Sequence, residues 1–238
     1  MIKTKKIEYR DGNIVLEGFY AYDDSLVGKR PAVLVAHDWS GRNEFADQKA
    51  MYLAELGYVG FALDMYGAGK IGTTTNEKMA LMKPLIENRV ELAHRILSAF
   101  EFVKTLDNVD TNKIGAMGFC FGGLCVLDLA RSGADTRGVV SFHGLLGAPE
   151  FNKNTQIKAK VLALHGHDDP MVPTEQVLAF ETEMTTAKAD WQVHVYGNTK
   201  HAFSNPLAHD EEMGTVYNSL AEKRAMIAMQ NFFVEVFN

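Results

Sequence analysis

The glycine-flanked cysteine in Gly118-Phe119-Cys120-Phe121-Gly122-Gly123 constrains this chain more than any other stretch. A short apolar run, Ile114 to Met117, stops at Gly118, and a helix-compatible run from Leu124 to Ala130 follows Gly123. A strand that turns into a helix over so few residues leaves no room for side chains around the turn, so glycine is needed on both sides. The central residue is then lifted to the top of a sheet, at the start of a helix. This is the layout of a nucleophile elbow with Cys120 where serine usually stands. Gly123 lets the helix approach a neighbouring strand.

The remaining chain supplies strands and helices in alternation. Residues 7–22 alternate around Asp11-Gly12-Asn13 and read as an opening hairpin. Ala32 to Ala36 is a continuous apolar run, as a strand buried on both faces requires, and ends in the polar His37-Asp38-Trp39-Ser40-Gly41. Asn43 caps a helix with Ala46, Ala50 and Leu53 on one face, and Val59 to Leu63 is the next buried strand. Residues 65–76 form a loop. A helix to about Leu85, interrupted by Pro84, and another from Asn88 to Leu106 follow, the second with Val90, Ala93, Leu97, Phe100 and Val103 inward. Beyond the elbow come a strand from Gly138 to His143, an irregular stretch to Lys160 and a strand from Val161 to His165. A helix capped by Thr174 runs to about Ala187, and a further strand from Trp191 to Tyr196. A closing helix carries Tyr217, Ala221, Ala225, Ala228, Phe232 and Val236 on one stripe. This spacing predicts an α/β fold with a mostly parallel central sheet and helices on both faces, ligands lying at the carboxyl ends of its strands.

At 238 residues and 47% hydrophobic, residues 1–238 fit a single domain. A net charge of -6 argues against nucleic acid as a partner. The N-terminus MIKTKKIEYR has no apolar signal region and no later run is long enough to cross a bilayer, so a cytoplasmic protein without a membrane partner is expected. Cys125, inside the presumed helix, reads as a small buried hydrophobe, and a disulfide with Cys120 is not expected. The oligomeric state stays open.

Three reactive groups fall at separate strand ends. Cys120 gains thiolate character from a helix N-terminus and a neighbouring imidazole. In His165-Gly166-His167-Asp168-Asp169-Pro170, two adjacent aspartates compete to orient a histidine. His165 and His167 share a face, but no third ligand follows at a metal-site spacing, so no metal is expected. His201, in Thr199-Lys200-His201-Ala202-Phe203, follows the last strand where a general base reaches a thiol. His37 and His143 end strands and line the pocket without reacting. Nucleophile, acid and histidine come in the order that α/β-hydrolases use. The oxyanion donors are assigned to the backbone N–H groups of Phe121 and Trp39.

The segments AHDWSG, LDMYG, GFCFGG, HGHDDPMVP and KHAF, in this order across nearly the whole chain, resemble the dienelactone hydrolase family of cysteine α/β-hydrolases. The resemblance implies the α/β-hydrolase fold and a triad of Cys120, Asp169 and His201, leaving Asp168 to shape the turn. It further implies hydrolysis of small esters or lactones through an acyl-cysteine intermediate, with no cofactor. Two positions depart from the family pattern. Asp38 stands where those enzymes carry a glutamate that helps hold the cysteine, which makes it a candidate cysteine-modulating acid. Asn205 stands where an arginine binds the substrate carboxylate, and Arg89, Arg42 and Lys70 are the candidate replacement cations, each weighed against a solvated surface charge. Trp39, Phe119, Phe121, Met171 and Phe203 suggest an apolar acyl pocket. The alternatives are a thiol-reactive binding or sensor module on the same scaffold, or a peptidase or acyltransferase using the same triad.

Overall fold

In the computed structural model, which describes residues 1–150 and 156–238, eight strands form one sheet. They are β1 (Ile2–Asp11), β2 (Ile14–Asp23), β3 (Arg30–Ala36), β4 (Val59–Leu63), β5 (Val109–Phe119), β6 (Gly138–Phe142), β7 (Lys160–Gly166) and β8 (Trp191–Tyr196). The spatial order is β1-β2-β4-β3-β5-β6-β7-β8. The hairpin β1–β2 joins antiparallel, and every pairing from β4 to β8 is parallel. Of the stretch expected to be irregular up to Lys160, residues 151–155 lie outside the described residues.

Both faces of the sheet are covered, which explains the uninterrupted apolar runs. Leu34 and Ala36 face a core completed by helices α3 (Arg89–Val103), α4 (Phe121–Arg131) and α5 (Thr174–Thr186). Val33 and Val35 face the opposite core, built with α1 (Glu44–Glu55) and α6 (Ser219–Phe237). Burying each large side chain in these layers contributes about 1.5–3 kcal/mol. From β3 the chain moves one way to β4 and then returns to β5 on the other side of β3. The crevice at this switch point lies between the loop after β3 and the start of α4, the place such folds use for ligands.

Several local expectations need correction. Helix α2 (Thr75–Glu87) passes through Pro84 without interruption, and a capping box between Thr74 and Glu77 starts it. In α3, Val90 is exposed, and Leu92, Ile96 and Ala99 join Ala93, Phe100 and Val103 inward, so the buried face is rotated from the expected one. Thr174 is the first residue of α5, not its cap: Pro173 holds the cap position and no side chain bonds there. Tyr217 precedes α6, whose buried stripe runs through Ala221, Ala225, Met229, Phe232, Phe233 and Phe237. Asn43 does cap α1, accepting from the Phe45 N–H at 3.0 Å.

Candidate active site

Cys120 sits between β5 and α4 with φ 54° and ψ -115°. That left-handed backbone costs a non-glycine residue about 1–3 kcal/mol and persists only where the surroundings enforce it. The glycines enforce it here. A Cβ on Gly118 would run into the Gly122 carbonyl, one on Gly122 into the Ala36 carbonyl, and one on Gly123 would come within 2.6 Å of Gly144 Cα. The helix therefore begins at Phe121 pressed against its neighbours; the Gly123 and Leu124 N–H groups donate to the Cys120 carbonyl at 3.0 and 3.3 Å, and among the described residues no acceptor takes the Phe121 or Gly122 N–H.

Asp169 follows β7 and His201 follows β8, and both are buried. Asp169 Oδ2 lies 2.7 Å from His201 Nδ1, while its Oδ1 accepts from the Met171 N–H at 2.8 Å. The turn expected of Asp168 is thus made by Asp169 itself, which fixes the carboxylate before it meets the imidazole. The loop carrying His201 is anchored by a short ribbon of β9 (His209–Asp210) and β10 (Thr215–Val216). The His201 N–H donates to the Gly214 carbonyl at 3.0 Å, and the Val216 N–H to the His201 carbonyl at 2.9 Å. His201 Nε2 is buried without a hydrogen-bond partner among the described residues. Burial opposes a charge on this ring, but interactions with the Cys120 sulfur and the Asp169 carboxylate outweigh it and raise the imidazole to about 10.

His143 ends β6 with φ 37° and packs edge-on to His201, ring centres 5.1 Å apart. Its Nε2 is 2.8 Å from Ser204 Oγ. Burial, then the proximity of His201, pushes its pKa well below the usual histidine value, so it stays neutral beside the His201 ring. His37 does not line the cavity as expected; it is buried behind the loop after β3.

Cys120, His201 and His143 open onto a cavity of about 580 Å³. Trp39, Phe119 and Met171 line it as expected, whereas Phe121 stacks on Tyr66 and Phe203 packs against His143 and Tyr196 in the core. Met79 and Met82 of α2 form one wall and Leu207, His209, Asp210, Met213 and Thr215 another. Asp38 and Asn205 also line the cavity, and Asp38 Oδ1 accepts from the Ser40 N–H at 2.7 Å. The three candidate cations are elsewhere: Arg89 is bound to Asp128, Arg42 to Asp47 and Glu17, and Lys70 is an exposed loop residue outside the cavity lining. Lys78 of α2 lines the cavity instead, its ammonium 5.3 Å from the centre of the Trp39 ring. Sequence pattern pointed to none of α2's lining residues, because their role depends on where a long excursion folds back.

The profile of the Dienelactone hydrolase family matches residues 16–237. The chain is 37% identical over 154 residues to an uncharacterized protein of Caenorhabditis elegans, covering 62% of this chain and 95% of that one. It is 27% identical over 213 residues to a putative carboxymethylenebutenolidase of Yersinia pestis, covering 82% and 78% respectively. Among solved structures, a dienelactone hydrolase-like promiscuous phosphotriesterase from metagenomic libraries superposes with a TM-score of 0.95 at 34% identity, over 100% of this chain and 99% of that one. A putative dienelactone hydrolase from Klebsiella pneumoniae shares the α/β-hydrolase fold, with a TM-score of 0.82 at 20% identity over 98% and 99%.

Proposed function

The chain belongs to the dienelactone hydrolase family, and from that premise we propose that it acts as a single domain hydrolysing small esters or lactones through an acyl-cysteine intermediate. The observation that carries this reading is the pairing of His201 with Asp169 at 2.7 Å, with Nε2 free of hydrogen bonds among the described residues and beside a cysteine held at φ 54°. In the resting site the His201 ring carries its proton beside Cys120 Sγ. The sulfur attacks the ester carbonyl, and the N–H groups of Phe121 and Trp39 receive the oxyanion. Collapse breaks the C–O bond, and the leaving alkoxide takes the proton from His201 Nε2. Water then attacks the thioester, giving its proton to His201 and releasing the carboxylic acid and the thiolate. No cofactor enters these steps.

Lys78 replaces the cation missing at Asn205, which supports esters or lactones bearing a carboxylate, while the methionine and aromatic walls accommodate an apolar body. Asp38 bonds within its own loop through Oδ1, and its carboxylate shapes the loop more than it modulates the thiol. No helix among the described residues is long and apolar enough to cross a membrane, and both thiols are free, which supports a reducing compartment such as the cytoplasm. The likeness to the phosphotriesterase favours a second reaction at the same site, in which Cys120 Sγ bonds to the phosphorus of a neutral phosphotriester as one P–O bond breaks and the departing alkoxide takes the His201 proton, water then cleaving the P–S bond to return the thiol group. Turnover of an activated carboxylic ester by the native enzyme and by Cys120→Ala tests the reading. Near-native turnover in the variant would overturn it.

A further inference from the structure

The loop between β3 and α1 contains a buried histidine whose proton can be placed by elimination. His37 packs edge-on against Tyr66, ring centres 4.8 Å apart, and its Nε2 lies 3.1 Å from the Met65 backbone nitrogen. A backbone N–H only donates, so Nε2 accepts and the ring proton is on Nδ1. Burial lowers the pKa of His37, against the pull of the Asp38 carbonyl and nearby carboxylates, which keeps the ring neutral. Nδ1–H therefore donates to the Asp38 carbonyl oxygen, 2.5 Å away, and the Gly41 N–H donates to the same oxygen at 3.3 Å.

That carbonyl belongs to the same peptide unit as the Trp39 N–H. No peptide bond among the described residues is cis, and in a trans unit the C=O and N–H point in opposite directions. Donors that draw the Asp38 oxygen toward the protein turn the Trp39 N–H the other way, toward the cavity that Trp39 lines. The two amides that follow Trp39 are occupied: Ser40 N–H donates to Asp38 Oδ1 and Gly41 N–H to Asp38 O. Among the described residues no acceptor takes the Trp39 N–H. The Trp39 carbonyl is held from the far side by the Tyr66 hydroxyl at 2.9 Å. The second proposed donor abuts the same backbone, because Gly122 packs against the Ala36 and His37 carbonyls.

We propose that His37 is a positioning residue for the oxyanion site, its Nδ1–H setting the tilt of the Asp38–Trp39 peptide and so the aim of the Trp39 N–H. The proposal rests on the acyl-cysteine reading of Cys120. His37 touches no substrate; it acts through the peptide.

Two substitutions separate this role from a structural one. His37→Asn puts an amide donor near the place of Nδ1 but is too short to reach Met65. His37→Phe keeps the ring against Tyr66 and Phe121 and donates nothing. Expected are a kcat on an activated ester within about tenfold of native for the Asn variant and a fall of about 10²–10³-fold for the Phe variant, with KM little changed. Thermal stability should rank the other way, Phe at or above Asn. Alkylation of Cys120 by iodoacetamide, which forms no oxyanion, should keep its native rate in both. Equal loss of kcat in the two variants, a change confined to KM, or a parallel loss of alkylation would overturn the proposal. A Cys120-dependent enzyme indifferent to His37→Phe sinks the positioning role alone, whereas an active Cys120→Ala variant removes the acyl-cysteine reading beneath it.

Discussion

The two ends of α4 both bury polar groups and treat them in opposite ways. At its last turn Asp128 is fully buried, gripped by Arg89 at 2.6 Å through both carboxylate oxygens and by Arg131 at 3.2 Å. Arg131 in turn reaches Glu183 at 2.7 Å and the Leu146 carbonyl at 2.9 Å, tying α3, α4, α5 and the loop after β6 together. At the first turn, His201 Nε2 and His143 Nδ1 are buried without hydrogen-bond partners among the described residues, and Cys120 holds a strained backbone. Buried polar atoms left unpaired are costly, typically about 1–3 kcal/mol each. The saturated end holds the fold, and the unsaturated end keeps its valences for something that comes and goes.

Substitutions at each end should divide accordingly between activity and stability. The largest expected effect is Cys120→Ala, which removes the proposed nucleophile: ester turnover drops by about 10⁴-fold or more while the melting temperature stays near native, checked by steady-state kinetics and calorimetry. Asp169→Asn should cost about 10⁴-fold in kcat by freeing His201 to adopt the wrong tautomer. This variant also carries a pH signature. The pKa of His201 is raised in the folded state, to about 10, so its proton, and the stability this pairing contributes, are fully present below the ordinary histidine value and are lost as pH rises through about 10. Native kcat/KM should therefore fall on the alkaline side near pH 10, and Asp169→Asn should move that limb to lower pH.

At the saturated end, Asp128→Ala takes from Arg89 the carboxylate that holds it through two bonds and from Arg131 one of its partners, and should cost about 3–5 kcal/mol of stability, read from denaturant unfolding. The molecules that remain folded should turn over ester at near-native kcat. If this variant lost kcat as fully as Cys120→Ala while staying folded, the division between the two ends would fail. The smallest effect is expected at the cavity wall. Lys78→Met should raise KM about threefold to tenfold for an ester bearing a carboxylate, leave its kcat unchanged, and leave KM for the uncharged analogue alone.

How far this division was visible in the sequence depends on what encodes each part. The elbow was legible because sterics around Cys120 admit only glycine at Gly118 and Gly122, a local demand. Buried parallel strands such as Val33 to Ala36 were legible because both faces need apolar residues. Strand-end position brought His201 toward the Asp168-Asp169 pair, and the choice of Asp169 came from the resemblance to the dienelactone hydrolase family. The phase of α3 was misread because both Val90 and Leu92 begin a plausible helical stripe, and only packing against α4 and β1 selects Leu92. Lys78, Met79, Met82 and the two-residue strands β9 and β10 carry no periodic signal, since a cavity wall is assembled from distant segments. The saturation of Asp128 was equally hidden, its partners Arg89 and Arg131 lying 39 and 3 residues away.

Cys120 and Cys125 offer the most direct measurement, because one thiol lies at the cavity and the other is buried, its pKa pushed up well above the usual thiol value by burial. Native protein is treated with increasing iodoacetamide, the modified residue is located by peptide mass spectrometry, and residual ester turnover is followed. Activity should fall in proportion to modification of Cys120 and vanish at one equivalent, with Cys125 untouched. Full turnover by protein alkylated at Cys120, or inactivation that tracks Cys125, would contradict a cysteine nucleophile at the elbow.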